Sequence, residues 1–128
     1  MPDYLDTSAF IKLVRSEPES HALRQEIAGT DLISSALLSV EGRRAARRYG
    51  ELASTRANAA LLTITLLPID QPILQAAGEL EPAELRSLDA LHLATILSLG
   101  QDLERVYCYD ARLTSATRAH GIEVAEPS

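Results

Sequence analysis

The chain has 128 residues, of which 46% are hydrophobic and only 4% aromatic, and its formal net charge is −6. This length favours a single domain, residues 1–128, with one core built mainly from aliphatic side chains. The acidic balance argues against a protein that binds nucleic acid through overall positive charge, although a local basic surface stays possible. The sequence has one cysteine, no apolar run of about 18 residues and no signal-peptide pattern at its N-terminus. We therefore expect a soluble cytoplasmic protein and not a membrane protein.

The N-terminal half alternates short extended stretches with helical patterns. Pro2–Leu5 is extended, and a helix with Phe10, Leu13 and Val14 on one side begins at Asp6. The pattern then predicts a helix over 20–27, a strand over 31–34, a long helix capped by Ser34 or Ser35 and running to about Gly50, and a helix over 52–63.

The C-terminal half continues the alternation. Pro68 places the strand over 66–69 at a sheet edge, and Asp70 opens a helix with Pro72 in its first turn. An acidic connection over 79–86 precedes a buried apolar helix over 88–99, which is capped by Ser87 and ended by Gly100. The pattern then predicts a strand over 105–109, a helix over 111–119 and a strand over 122–124. Such alternation predicts an α/β fold with a parallel sheet and helices on both faces.

The long helix carries an acid and several arginines. Its predicted inward face comprises Leu37, Val40, Glu41, Arg44, Ala45 and Arg48, so that Glu41 shares the apolar edge. Alternatively, Glu41 is solvated and paired with Arg44 or Arg48. The arginines Arg43, Arg44, Arg47 and Arg48 are candidates for following an RNA backbone, or else form a solvated helix face.

Four carboxylates are candidates for one site. Asp6 and Asp110 each follow a strand and precede a helix, a position suited to a helix cap or to a ligand crevice at the sheet edge. Asp89 lies in the first turn of the apolar helix, where it would also complement the helix dipole. Glu41 would join them. Because buried carboxylates need a compensating cation, and an oxygen ligand set favours hard ions, we expect Mg²⁺ or Mn²⁺.

Other polar residues near these acids have simpler interpretations. His92 lies three residues after Asp89 on the same helix face, and we expect a hydrogen-bonded core histidine rather than a metal ligand. Cys108 is expected to be an inert buried thiol in the middle of a strand. Tyr107 and Tyr109 alternate with it and face either the core or a base.

The acidic motifs together resemble a known family. There are four such motifs: Asp-Thr-Ser near the start, Val-Glu in the long helix, Leu-Arg-Ser-Leu-Asp-Ala-Leu-His-Leu-Ala-Thr over 85–95 and Tyr-Asp-Ala-Arg-Leu over 109–113. In this order they resemble PIN-domain ribonucleases, and more narrowly the VapC toxins of type II toxin–antitoxin pairs. The resemblance covers Tyr4 to about Glu123. It implies a doubly wound, five-stranded parallel sheet and a catalytic, metal-binding set of Asp6, Glu41, Asp89 and Asp110.

The same resemblance implies partners and supporting residues. It implies a Mg²⁺- or Mn²⁺-dependent endoribonuclease that acts on RNA, forms a homodimer and is inhibited by a VapB-type antitoxin. Thr7 or Ser8 would supply a hydroxyl beside the first acid. Arg86 and Arg112, next to two of the acids, are candidates for supporting the site or contacting the substrate.

Two other classes of protein are considered. A phosphoacceptor receiver domain also gathers aspartates at strand ends, but it needs a lysine at the end of a late strand, and the only lysine, Lys12, lies in the first helix. A metal-free binding module with the same fold would not need all four acids.

Overall fold

Five strands and seven helices alternate along the chain. The computed structural model describes residues 1–128. The elements are β1 (Asp3–Leu5), α1 (Thr7–Val14), α2 (Ser20–Ile27), β2 (Leu32–Ser35), α3 (Leu37–Arg47), α4 (Glu51–Leu61), β3 (Ile64–Leu67), α5 (Gln71–Glu79), α6 (Ser87–Leu99), β4 (Val106–Tyr107), α7 (Ala111–Ala119) and β5 (Val124–Ala125), with a 3₁₀ turn at Gly100–Asp102.

All strand pairs are parallel, and the strand order is β3-β2-β1-β4-β5. The predicted α/β, doubly wound sheet of five strands is therefore confirmed. The chain winds from β1 towards one edge and returns to β4 on the other side of β1, with Leu5 opposite Tyr107. In open parallel sheets, ligands bind outside the carboxyl ends of the strands where the winding reverses. The crevice in front of β1 and β4 is thus the expected place for a site.

Helices cover both faces of the sheet, as predicted. Leu5 points into a core with Phe10 and Leu38 under α1–α4, whereas its neighbour Tyr4 points to the opposite core with Leu93 and Leu113 of α6 and α7. None of the helices has the length and apolar character needed to cross a bilayer.

Several predicted boundaries were wrong by a few residues. β3 ends at Leu67, before Pro68, although it does lie at the sheet edge. β4 is two residues long instead of five, and β5 lies at 124–125 instead of 122–124. Ser87 is the first residue of α6 and not its cap; Ala36 precedes α3, where the hydroxyl of Ser35 still accepts a hydrogen bond from the Leu37 N–H. Pairing with neighbouring strands, which local composition does not encode, sets these ends.

The predicted inward face of α3 was wrong in part: Leu37, Glu41 and Ala45 are half-buried, but Val40, Arg44 and Arg48 are exposed. The residues that α3 buries are Leu38, Gly42 and Ala46, whereas Val40 is 58% exposed. Gly42 lies directly against the ring of Phe10 in α1. Small residues let the two helices approach closely, but they contribute little to a hydrophobic pattern, which therefore indicated a face that was wrong in part.

Gly42→Ala is expected to destabilise the protein by about 1–2 kcal/mol, because overpacking of a core outweighs the better helix propensity of alanine. A Cβ at Gly42 would lie 2.7 Å from Cε2 of Phe10. Gly78→Ala, in α5, is the matched control: nothing lies within 4 Å of its added Cβ, so it should be neutral or stabilising by up to about 1 kcal/mol. Urea denaturation measures both, and equal stabilities would contradict the close α1–α3 contact.

Candidate active site

Asp6 ends β1 and caps α1, so both interpretations of its position are correct at once. One carboxylate oxygen, Oδ2, accepts hydrogen bonds from the N–H of Ser8 at 3.1 Å and its hydroxyl at 2.7 Å. Ser8 Oγ also accepts from the Tyr109 N–H at 2.8 Å, which ties α1 to the end of β4. The second oxygen, Oδ1, has no hydrogen-bond donor and lies 3.8 Å from Nε2 of His92.

Asp110 repeats this arrangement after β4. Its Oδ1 accepts from the N–H groups of Arg112 and Leu113 at 2.8 and 3.3 Å and caps α7. Because β1 and β4 are neighbours, Asp6 and Asp110 lie at the same edge of the sheet, as predicted. Each of the two acids thus caps a helix with one oxygen and keeps the other free.

Cys108 lies between these two acids. It follows the end of β4 rather than occupying the middle of a strand, because the strand is shorter than predicted. Its Sγ is 3.4 Å from Oδ2 of Asp6 and 3.6 Å from the carbonyl oxygen of Asp110. Burial, and then the charge of Asp6, raise the pKa of this thiol to about 12. The predicted burial of this thiol is confirmed.

Asp89 faces the other acids from the first turn of α6. Its side chain is half-buried. Burial raises the pKa of Asp89, and the negative charges of Asp110, Asp6 and Glu41 raise it further, against the smaller opposing effect of His92. The four predicted acids therefore lie within electrostatic reach of one another in front of β1 and β4.

Glu41 reaches this group from α3 through two hydrogen bonds. The hydroxyl of Thr7 donates to its Oε1 at 2.7 Å, and Nε2 of His92 lies 2.7 Å from the same oxygen. Burial alone would raise the pKa of Glu41, but the hydrogen bond and charge of His92 and the hydrogen bond of Thr7 outweigh it, so the pKa is lowered. Neither Arg44 nor Arg48 pairs with Glu41.

His92 links Glu41 to the core. Its Nδ1 lies 2.6 Å from the hydroxyl of Tyr4, and this hydroxyl accepts from the Ser35 N–H at 3.2 Å. Burial would lower the pKa of His92, but its hydrogen bond to Glu41 and the charges of Asp6, Glu41 and Asp89 raise it above the usual value. His92 is thus the hydrogen-bonded, buried histidine that was expected, and it also contacts the acidic group directly.

Comparisons with known proteins identify the family of this chain. The PIN-domain profile matches residues 4–118. Ribonuclease VapC46 of Mycobacterium tuberculosis is 45% identical over 126 residues, which cover 98% of this chain and 97% of that protein. The chain belongs to the VapC family of PIN-domain proteins.

Solved structures share the fold of this VapC-family chain. VapC20 of Mycobacterium tuberculosis, a toxin that cleaves the sarcin–ricin loop, superposes with a TM-score of 0.74 at 17% identity and covers 97% of this chain and 98% of its own. A chain of a toxin–antitoxin complex from Klebsiella pneumoniae gives a TM-score of 0.71 at 19% identity, with 98% of both chains covered. At these identities the likeness concerns the fold alone.

The predicted arginines lie on the surface of the VapC-family domain. Arg86 and Arg112 are exposed beside Asp89 and Asp110. Arg43 donates to Asn58 of α4 at 3.0 Å and also contacts Ser39. Arg44 and Arg47 are exposed on α3, where Arg47 and Arg43 line a small cavity with Ser54 and Asn58.

The two uncertain tyrosines differ in environment. Tyr107 is buried in the core between the sheet and α1–α4. Tyr109 is half-buried: its hydroxyl donates to the carbonyl oxygen of Pro127 at 2.7 Å, and the ammonium of Lys12 lies 4.6 Å from its ring. In this structure both face protein.

Sequence reasoning missed the contact between His92 and Glu41, and the role of Tyr4 behind them. His92 was the one signal available, as an ionisable residue one helical turn after Asp89 on an apolar helix. Its partner Glu41 is 51 residues away, so only the packing of α3 and α6 on opposite faces of the sheet edge reveals the pair.

Proposed function

We propose that this chain is a divalent-metal-dependent endoribonuclease, the toxin of a type II toxin–antitoxin pair. The observation that carries the proposal is the gathering of Asp6, Glu41, Asp89 and Asp110 in front of β1 and β4, where each carboxylate affects the pKa of Asp89. Its VapC-family membership supports the same activity, since a relative with 45% identity is named a ribonuclease.

The donor set fits Mg²⁺ or Mn²⁺ better than softer metals. The available atoms are carboxylate oxygens, the ligands that hard divalent cations prefer. Asp6 and Asp110 each retain a free oxygen, and Asp89 has no side-chain hydrogen bond, whereas both nitrogens of His92 have protein partners. No three acidic, histidine or cysteine side chains surround one point closely enough to hold an ion as they stand, so binding would draw the carboxylates together by side-chain rotation.

The chain's own residues have distinct proposed roles. Asp6, Asp89 and Asp110 would hold one or two ions, and Glu41 would bind a second ion or orient the attacking water. A bound divalent cation lowers the pKa of coordinated water and offsets charge on the phosphate. Ser8 fixes the oxygen of Asp6 that caps α1, and Thr7 and His92 fix Glu41. Hydrolysis by water would leave a 5′-phosphate and a 3′-hydroxyl.

The proposed partners are RNA, a VapB-type antitoxin and a second copy of the chain. Arg44 and Arg47, exposed on the helix that carries Glu41, are available to contact the RNA backbone. Large apolar side chains remain exposed on α3 and α4, including Val40 at 58% and Leu52 at 63%, and these would suit a protein partner.

Incubation of the purified protein with total RNA, with and without EDTA, tests the proposal. We expect cleavage with Mg²⁺ or Mn²⁺, its complete loss with EDTA and its return when excess Mg²⁺ is added. Mapping of the cut ends should find 5′-phosphates. Cleavage that persists in EDTA, or that leaves 2′,3′-cyclic phosphates, would contradict the mechanism. Absence of both cleavage and calorimetric Mg²⁺ binding would indicate a metal-free binding module.

A further inference from the structure

A cavity of about 720 Å³ opens beside the acidic group, between the connection that precedes α6 and one face of α7. Its apolar wall is formed by Leu85, Ala111, Ala116 and Ala119. These alanines range from the first to the last residue of α7, so the cavity extends along this helix and begins at the end that carries Asp110. A ligand in this cavity would therefore lie next to the proposed site of cleavage.

Three charged side chains line the same cavity: Arg86, Arg112 and Glu84. All three are exposed, and none takes part in an ion pair within the protein. Arg86 lies three residues before Asp89, and Arg112 lies two residues after Asp110. Two free guanidinium groups and one free carboxylate thus stand around an apolar surface at the border of the acidic group.

This combination matches a nucleobase better than a phosphate or an aliphatic chain. Single-stranded RNA is recognised by stacking of unpaired bases on aromatic rings or arginine guanidinium planes and by hydrogen bonds to the edges of the bases. The alanines and Leu85 offer an apolar surface for the face of a base, and the charged groups can bond its edges. A phosphate would not use the apolar wall, and an aliphatic chain would make no use of the three charged groups.

We propose that the cavity binds a guanine base of single-stranded RNA, on a nucleotide next to the phosphodiester bond that is cut. The inference rests on the proposed function. One arginine of the pair Arg86 and Arg112 donates to O6 and N7 of guanine, and the other contacts the adjacent phosphate. Glu84 accepts from N1–H and the exocyclic amino group.

The donor and acceptor pattern selects guanine among the four bases. Guanine presents O6 and N7 as adjacent acceptors, the best partner for a guanidinium. Adenine presents an amino donor beside N7, so the arginine would face a donor. A carboxylate only accepts hydrogen bonds, which suits the N–H groups of guanine, and a pyrimidine lacks N7 altogether.

Cleavage of short single-stranded RNAs, in which the nucleotides beside the cut are varied, tests the inference. With Mg²⁺ present we expect kcat/KM to be at least about tenfold higher next to guanosine than next to adenosine or uridine, since a bidentate contact discriminates by this order. Glu84→Gln and one of the two variants Arg86→Gln and Arg112→Gln should reduce that preference, whereas the other arginine variant, which loses a phosphate contact, should slow the cleavage of all substrates alike. Inosine, which lacks the amino group, should be cut more slowly than guanosine by the wild type but not by Glu84→Gln.

Glu81→Gln is the matched control, because Glu81 lies on the same acidic connection but outside this cavity; it should retain the guanosine preference. A second measurement needs no cleavage: in EDTA, GMP should bind about tenfold more tightly than AMP, with NMR shifts at Ala116 and Ala119. Cleavage without base preference, or a preference that none of the three variants changes, would overturn the inference and assign the cavity to a protein partner.

The two proposals can fail separately. If RNA is not cut at all, the proposed function fails, and the comparison of GMP with AMP alone decides the inference. Equal or absent binding of the two nucleotides would then overturn it.

Discussion

Asp6→Asn is expected to slow metal-dependent RNA cleavage by about two to three orders of magnitude, because loss of one anionic metal ligand removes several kcal/mol of transition-state stabilisation. The substitution is nearly isosteric. It replaces a carboxylate whose free Oδ1 faces the acidic group, and it leaves an oxygen to accept from the N–H and hydroxyl of Ser8. The change is thus directed at charge rather than at shape.

The fold should survive this substitution. Asparagine caps helices about as well as aspartate, so α1 keeps its N-terminal hydrogen bonds. The loss of one negative charge should also lower the raised pKa of Asp89, since Asp6 contributes to that shift. An NMR titration of Asp89 would detect this decrease. We expect a midpoint of thermal unfolding equal to or above that of the wild type without metal.

Asp70→Asn is the matched control for Asp6→Asn. Asp70 caps α5 as Asp6 caps α1, with Oδ1 accepting from the Ile73 N–H at 3.1 Å, but it does not belong to the acidic group. This variant should cleave RNA at the wild-type rate. Full activity of Asp6→Asn with the same cut ends would show that Asp6 does not take part in the reaction.

The sequence was sufficient to predict the sheet edge at which Asp6 and Asp110 meet. Each lies where an extended run changes to a helix, and in a parallel sheet all such junctions lie on one side. The interpretations of these acids as helix caps and as site residues seemed to compete, yet in the structure one oxygen of each carboxylate caps a helix and the other remains free. The helix-cap interpretation and the site interpretation are therefore compatible, because a carboxylate has two oxygens.

The face of α3 could not be predicted in the same way. Its contact with α1 depends on Gly42 fitting against Phe10, and glycine carries no hydrophobic signal. The partner of His92 was equally hidden, since the contact with Glu41 joins helices that are distant in sequence. Burial and long-range pairing decide both features, and neither is a property of a short window of sequence.

The second large effect is expected at His92, because this buried side chain makes a close hydrogen bond to each of two groups, one in the core and one at its edge. It lies between Oε1 of Glu41 and the hydroxyl of Tyr4, at 2.7 and 2.6 Å. His92→Ala would leave both without this partner and open a space in the core. We expect a loss of about 3 kcal/mol, or roughly 10 °C in the midpoint of thermal unfolding.

The contribution of His92 should depend on pH. Its pKa is raised in the folded protein, so its stabilisation is complete below about pH 6.5, the usual histidine value, and disappears as the pH rises through the folded pKa. Glu41 has a lowered pKa, so its stabilisation holds above its usual value of about 4.5 and is lost at lower pH. The pair is therefore most stabilising between these two values.

Asp89 changes stability with pH in the same direction as His92, but its pKa is raised from a lower starting value of about 3.8. Its raised pKa means that the folded state holds a proton more firmly than the unfolded state, so stability falls as the pH rises through that range. Because the pKa of His92 is raised above 6.5, the wild type in EDTA should unfold at a lower temperature at pH 8 than at pH 6. His92→Ala should show a smaller difference between these two conditions, because it lacks the imidazole whose raised pKa links stability to pH in this range.

Thermal unfolding of His92→Ala in EDTA at pH 5, 6, 7 and 8 measures both effects. His21→Ala is the control, because His21 is an exposed residue of α2 and its removal should change stability by less than about 0.5 kcal/mol at every pH. If His92→Ala matched His21→Ala in stability at pH 6, the contact with Glu41 would carry no net energy. If it were destabilised equally at pH 6 and pH 8, His92 would act through its packing and its neutral hydrogen bonds and not through its charge.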